Sequence, residues 1–251
     1  METPRRFYLI THPRTASNLL LRILALEDQP DVAQHRSDAL GGYFFLPSAQ
    51  LSTKLGLRGK NVEGWTEDQK NQMRGKLQEC FNTLEKYAER AEKDGKVAFV
   101  KEHSLLLIEP VAQSKGIYGP DSTQEPPWTV QVPSKYGPEL TRSPLNETLF
   151  PDQFIRTWLP TFLIRHPALV FPSQYRALMD IKLVDLGAKD TSQFDIIFTF
   201  RWIRSLYNDS SEYLGKFGAE MDGENTWVSN FFSNTCLLEH KMSISPFYFN
   251  D

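Results

Sequence analysis

The chain has 251 residues, 40% of them apolar and 12% aromatic, enough for a core of ordinary size in a single domain spanning residues 1–251. A net charge of −3 and a pI near 6.0 argue against nucleic acid or anionic lipid as general partners, so basic residues are expected to serve local sites. Cys80 and Cys236 form no C-x-x-C pair, so neither a disulfide framework nor a metal cage is encoded, and a reducing compartment is expected.

At the N-terminus, Arg5-Arg6 leads into a proline-broken strand instead of a leucine-rich leader, and no apolar run is long enough to span a membrane. The expectation is a cytoplasmic protein without a membrane anchor. Phe7 to Thr11 is a β-prone run that Pro13 ends. Ser17-Asn18 can then cap an apolar core helix through Leu19, Ile23 and Leu26. A strand that breaks and restarts as a helix leaves first-turn N–H groups facing outward at the positive end of the helix dipole. Arg14, Thr15, Ser17 and Asn18 add a charge and side-chain donors at the same point. The expected guest is a phosphate or sulfate. G-x-x-x-x-G-K-[ST] occurs nowhere in the chain, which argues against simple ATP or GTP hydrolysis.

Gly41 to Pro47 reads as a short strand or aromatic loop, followed by polar sequence without a clear period. Thr66 with Gln69 forms a capping box for a helix whose apolar positions Met73, Leu77, Cys80/Phe81, Leu84, Tyr87/Ala88 and Ala91 continue to Gly95. Lys96 to Lys101 reads as a buried strand. Eight of the sixteen prolines fall between Glu109 and Asp152, which marks about 109–151 as a long ordered loop or lid. The acceptor patterns Asn146-Glu147-Thr148 and Asn208-Asp209-Ser210 are expected to be idle as glycosylation sites without a secretory route. A short helix at Asp152 to Trp158 leads into a strand at Thr161 to Arg165, and a helix at about Ser192 to Tyr207 follows. Strands alternating with helices predict an α/β fold with a mostly parallel sheet flanked by helices on both faces.

Two further constellations fall at strand ends, on the sheet edge where open α/β folds bind ligands. Arg165 stands eight residues before Ser173, and Lys101-Glu102-His103 closes a buried strand, where a histidine can accept a proton near neutral pH. Taken singly, Arg165 also fits an ordinary salt bridge and His103 a hydrogen-bonded structural role.

In combination these segments resemble the cytosolic sulfotransferase family, which transfers a sulfuryl group from 3′-phosphoadenosine 5′-phosphosulfate (PAPS) to an acceptor hydroxyl. His12-Pro13-Arg14-Thr15-Ala16-Ser17-Asn18-Leu19 resembles the family's 5′-phosphosulfate loop, P-K-S-G-T-T-W, with Arg14 in the lysine position and Ala16 in the glycine position. Arg165 and Ser173 match the arginine and serine of the 3′-phosphate motif, and Lys101-x-His103 matches K-x-H, whose histidine is the family's usual general base. A more specific likeness is to fungal sulfotransferase-like proteins carrying H-P-R-T-A-S-N-L-L and F-L-I-R-H-P-A-L, over roughly residues 5 to 207.

The resemblance implies a P-loop NTPase-like sulfotransferase fold, PAPS as co-substrate without a metal, and a small-molecule acceptor, with a place in secondary metabolism. Arg14, Thr15, Ala16, Ser17 and Asn18 would hold the 5′-phosphosulfate and Arg165 and Ser173 the 3′-phosphate. His103 would be the base, Arg14 would stabilise charge on the transferring group, and Lys101 would assist the donor or hold an ion pair. From about residue 208 the tail departs from the family: Met221-Asp222-Gly223-Glu224 is at best a remnant of its final strand, and a truncated or divergent C-terminus is expected. A sulfation-linked elimination or cyclisation and a non-catalytic nucleotide-binding relative remain alternatives. The acceptor and the oligomeric state are not legible.

Overall fold

Three apolar stretches pair into one parallel sheet of order β2-β1-β3: β1 (Arg6–Thr11), β2 (Ala98–His103) and β3 (Leu159–Leu163). The structure is a computed structural model and describes residues 6–35, 43–180 and 192–220. The chain divides into two compact units, residues 1–209 and 210–251. The sheet lies in the first; of the second, only residues 210–220 are described, as the end of a helix.

Central strand β1 buries Tyr8, Leu9 and Ile10 in succession, the continuous apolar run that a parallel strand covered on both faces requires. Parallel neighbours need long crossovers. From β1 to β2 the chain passes through α1 (Ser17–Leu24), α2 (Leu46–Lys54) and α3 (Glu67–Lys93); between β2 and β3 it passes through α4 (Ser104–Leu107), α5 (Pro110–Tyr118) and α6 (Asp152–Ile155). After β3 come α7 (Pro167–Asp180), α8 (Ser192–Ile197) and α9 (Arg201–Glu220).

The capping box at Thr66 and Gln69 is formed, and α3 buries Met73, Leu77, Cys80, Phe81, Leu84, Tyr87, Ala88 and Ala91. Tyr87 fastens this helix to β2: its hydroxyl donates to the Ala33 carbonyl at 2.9 Å and accepts from Phe99 N–H at 3.1 Å.

Several boundaries differ from the sequence expectation. Residues 46–54, without a clear polar–apolar period, form α2, started by Pro47 in its first turn, where a missing N–H costs nothing. β2 extends to His103, whereas β3 stops at Leu163, so Arg165 lies two residues beyond its strand. The helix expected at 192–207 is two helices, α8 and α9, with Phe198-Thr199-Phe200 between them. Helix α1 is not a core helix: Leu19 and Ile23 are 58% and 71% exposed, while Ser17 and Leu21 face inward. Its rotation follows from the preceding loop and from Asn18, which is bonded to Lys101 of β2.

The proline-rich segment opens as helix α5, capped by the buried Glu109 carboxylate, which accepts from the N–H groups of Val111 and Ala112 and also from Trp128 N–H. Its later part packs along α3. Gln78 bonds Gln131, and the Tyr136 hydroxyl sits 2.7 and 2.9 Å from the Glu85 carboxylate oxygens. Arg6, buried at the start of β1, reaches Tyr136 Oη at 2.8 Å, Thr157 at 3.2 Å and Glu92 at 3.0 Å. The Tyr136 turn is thus at the N-terminal edge of the sheet, about 15 Å along β1 from Thr11. Asn146 is buried and its amide donates to Phe150 O and Asp152, so the first glycosylation pattern is occupied by structure. Cys236 and Met221 to Glu224 lie outside the described residues, as do Gly41 and Gly42.

Candidate functional site

Pairing register brings the three strand ends together: Thr11 stands opposite His103 on one side and Leu163 on the other. All three junctions found in the sequence therefore open on one sheet edge.

The loop from His12 to Ser17 leaves that edge with alternating orientation. Arg14, Ala16 and Asn18 are exposed, while Thr15 and Ser17 are buried. Arg14 and Ala16 both have left-handed backbone, with φ of 68° and 64°. Ala16 is the residue that caps α1, and no side chain caps the helix; Ser17 is already its first residue, so the capping role expected of Ser17-Asn18 is not taken. An alanine tolerates this backbone less well than a glycine, the family's residue at the position. Left-handed residues alternating with others along a turn aim neighbouring N–H groups to one side, a concavity suited to an oxyanion, and the uncapped helix start adds its dipole. The Thr15 hydroxyl, expected among the donors, points inward and donates to His12 O at 2.8 Å, closing the turn.

Arg14 is where the distant motifs meet. Its Nε donates to Ser173 Oγ on α7 at 3.0 Å, and its carbonyl accepts from Arg165 Nη1 at 3.4 Å. Lys101 approaches the same loop from β2: its ammonium donates to Asn18 Oδ1 and lies 4.2 Å from the centre of the Tyr43 ring. Burial holds this lysine down to about 8, with the Glu102 charge as a smaller opposing influence.

His103 lies at the strand end between two hydroxyls, with Nδ1 2.8 Å from Thr11 Oγ1 and Nε2 3.1 Å from Tyr43 Oη. Thr11 donates its own proton to Glu102 O at 3.2 Å. Its oxygen is then an acceptor for His103 Nδ1–H, which leaves the Nε2 lone pair to accept from Tyr43; this tautomer is assigned from the hydrogen-bond network. Burial, then the Lys101 cation and a further electrostatic influence of His12, push the imidazole down to about 3, so it is neutral near pH 7.

Sequence reasoning did not single out Thr11, His12 or Tyr43. His12 donates from Nδ1 to Pro13 O and packs edge-on against Phe171 of α7 and Phe200, locking the loop to the elements behind it. The repeated His-Pro step, His12-Pro13 and His166-Pro167, was the available signal: His166 Nδ1 accepts from Ala168 N–H and starts α7 in the same region. No local pattern marks Thr11 or Tyr43.

Glu102 points to the other face of β2 and is wholly buried. One oxygen accepts from Phe45 N–H at 3.1 Å, and Oε1 has no partner among the described residues. Desolvation raises its carboxyl to about 8. A folded value above the unfolded one stabilises the fold fully below about pH 4.3, and that stability is lost as pH rises through 8. Below about 6.5 the depressed His103 opposes this trend, and close to 8 the depressed Lys101 does so as well, so Glu102 dominates between about 6.5 and 8. Denaturant titrations are expected to show roughly 2 kcal/mol less stability at pH 8 than at pH 6.5, and Glu102→Gln should remove the difference. Equal wild-type stability at both values would mean that Glu102 ionises like an ordinary carboxylate.

The fold and the site define an α/β protein with a parallel-sheet edge that gathers an anion-type loop, two basic side chains and a neutral histidine. No family model matches the chain, and no solved structure matches it. It is 43% identical over 205 residues to "Sulfotransferase ppzF" of Metarhizium rileyi (strain RCEF 4871), which covers 82% of this chain and 58% of that protein. To the protein of the same name from Metarhizium majus (strain ARSEF 297) it is 44% identical over 207 residues, covering 82% and 59%. Over 82% of its length the chain is thus similar to fungal proteins named sulfotransferases, and it spans somewhat under three fifths of the length of the curated relatives it matches.

Proposed function

We propose that this protein transfers a sulfuryl group from PAPS to the hydroxyl of a small-molecule acceptor in secondary metabolism. The observation that carries the reading is the convergence on Arg14, where the candidate 5′-phosphosulfate loop, Ser173 and Arg165 meet across more than 150 residues of sequence. The kinship to fungal sulfotransferases supports the chemistry. The residues fit the donor on physical grounds: a loop with left-handed turns at Arg14 and Ala16, an uncapped helix start and a lysine beside it suit an oxyanion.

When bound, PAPS supplies the sulfuryl group and leaves as adenosine 3′,5′-bisphosphate. Transfer of this kind depends on in-line positioning and charge stabilisation more than on covalent help. The amides of Thr15 to Asn18 hold the 5′-phosphate, and Arg14 balances charge at the transferring group. Arg165 and Ser173 grip the 3′-phosphate. Lys101, anchored by Asn18, adds positive charge on the β2 side, and His103 Nε2 takes the acceptor's proton.

The test is nucleotide discrimination. Calorimetry should find adenosine 3′,5′-bisphosphate bound more tightly than AMP. Arg165→Ala should weaken the bisphosphate about ten- to a hundredfold, the equivalent of a charge-assisted bond worth roughly 1.5–3 kcal/mol, with AMP nearly unchanged. Equal losses for both ligands would mean that Arg165 only props the loop through the Arg14 carbonyl. Failure to bind the bisphosphate at all would overturn the reading.

A further inference from the structure

Tyr43 is laid across the end of β2, over both members of the Lys101-x-His103 pair. Its N–H donates to Lys101 O at 3.0 Å, and its ring covers the Lys101 ammonium at 4.2 Å. Its hydroxyl lies 3.1 Å from His103 Nε2, with the two rings 4.9 Å apart. The Ser17 side chain, at the start of α1, bonds the same hydroxyl. Tyr43 does this with a backbone φ of 71°, a left-handed conformation that bulky residues rarely adopt and that persists only where surrounding contacts over-determine it.

The hydroxyl matters because of what it occupies. Nδ1–H of His103 is committed to Thr11, so Nε2 is the nitrogen with a lone pair, and Tyr43 O–H donates to it. An acceptor hydroxyl handing its proton to Nε2 must come within about 3 Å of that atom, the place where Tyr43 Oη now lies.

We infer that Tyr43 is a positioning residue for His103: while Thr11 fixes the Nδ1–H tautomer, the Tyr43 phenol orients the ring and caps Nε2 until an acceptor hydroxyl displaces it. The tautomer and the cap are properties of the protein as it stands; the displacement rests on the sulfuryl-transfer reading. The physical consequence is a competition at one nitrogen. Every acceptor must replace the Tyr43 bond, so the phenol raises KM for all acceptors, while the donor loop, which would hold its phosphate through the amides of Thr15 to Asn18, keeps those amides.

The experiment uses the full chain and Tyr43→Phe, which keeps the ring over Lys101 and removes only the hydroxyl. Nitrogen-15 spectra of the histidine rings are expected to show His103 in the Nδ1–H tautomer in the wild type. In the variant its Nε2 resonance should move, while Thr11 keeps the proton on Nδ1. With PAPS and an accepted hydroxyl compound, Tyr43→Phe should lower KM for the acceptor by about two- to tenfold, the range of one neutral hydrogen bond, with no change in affinity for adenosine 3′,5′-bisphosphate. An Nε2 resonance identical in both proteins overturns the proposal. So does a KM that rises, since Tyr43 would then be holding the acceptor itself. A chain that transfers no sulfuryl group but shows the resonance shift retains Tyr43 as the cap on His103 and overturns only the reaction assigned to the site.

Discussion

His103→Ala is expected to lower turnover by about 10²–10⁴ and to leave the affinity for adenosine 3′,5′-bisphosphate within a few-fold of wild type, because a general base acts on the acceptor and not on the donor. The structure gives this expectation an atom. Thr11 accepts the hydrogen bond of Nδ1–H and so directs the basic lone pair outward on Nε2, towards Tyr43. It also gives the expectation a pH signature. The free imidazole is pushed down to about 3 by burial and by the Lys101 cation, with His12 adding to the effect, so the acid limb of kcat/KM, which reads the free protein, should fall well below the ordinary histidine range. A bound phosphosulfate offsets the neighbouring positive charge, and the corresponding limb of kcat should lie higher. Steady-state rates between pH 4 and 8 should show no kcat/KM limb in the ordinary histidine range and should locate any limb of kcat, with circular dichroism as the check that the variant folds. Turnover unchanged in His103→Ala on any accepted substrate would remove this residue from the mechanism.

Arg14→Ala is expected to reduce kcat by about 10²–10³ while weakening the desulfated product by less than about tenfold, because the strongest contact of this guanidinium would form only as charge develops in transfer. Single-turnover rates and product calorimetry on the same variant separate the two effects. Arg14→Lys is the sharper comparison. Lysine is the family's residue in this position, so turnover should be retained or raised if the loop works as in relatives. A lysine, however, has no planar fork with which to keep Ser173 Oγ on one nitrogen and present the others to an anion. A lysine variant as inactive as alanine would mean that the Ser173 contact sets the geometry of the loop. If neither substitution alters nucleotide binding or turnover, Arg14 is a surface charge and the site lies elsewhere.

Features of this protein that rest on local chemistry are legible in the order of its residues. The Phe7 to Thr11 run, the Thr66–Gln69 box and the apolar spacing of α3 each act through neighbours within a turn or a strand, and each is present in the fold. The proline steps that end β1 and precede α7 likewise show where strand gives way to helix. Residue types at those ends, Arg14, Lys101, His103, Arg165 and Ser173, were legible as charge and hydrogen-bonding capacity placed beside strand termini.

Other features are set by residues far apart in the chain and emerge only on folding. Local spacing pointed Leu19 and Ile23 inward, but the loop and the Lys101–Asn18 bond rotate α1 so that Ser17 and Leu21 are buried. Apolar periodicity continues across residues 198–200, where α8 and α9 in fact separate and Phe200 packs on His12. The tautomer of His103 depends on Thr11 and Tyr43, at separations of 92 and 60 residues, and on the β1–β2 register that sets Thr11 beside it. A pairing register is chosen by the burial of whole faces, and a side chain's charge state by everything packed around it, so neither is written in any short stretch of sequence.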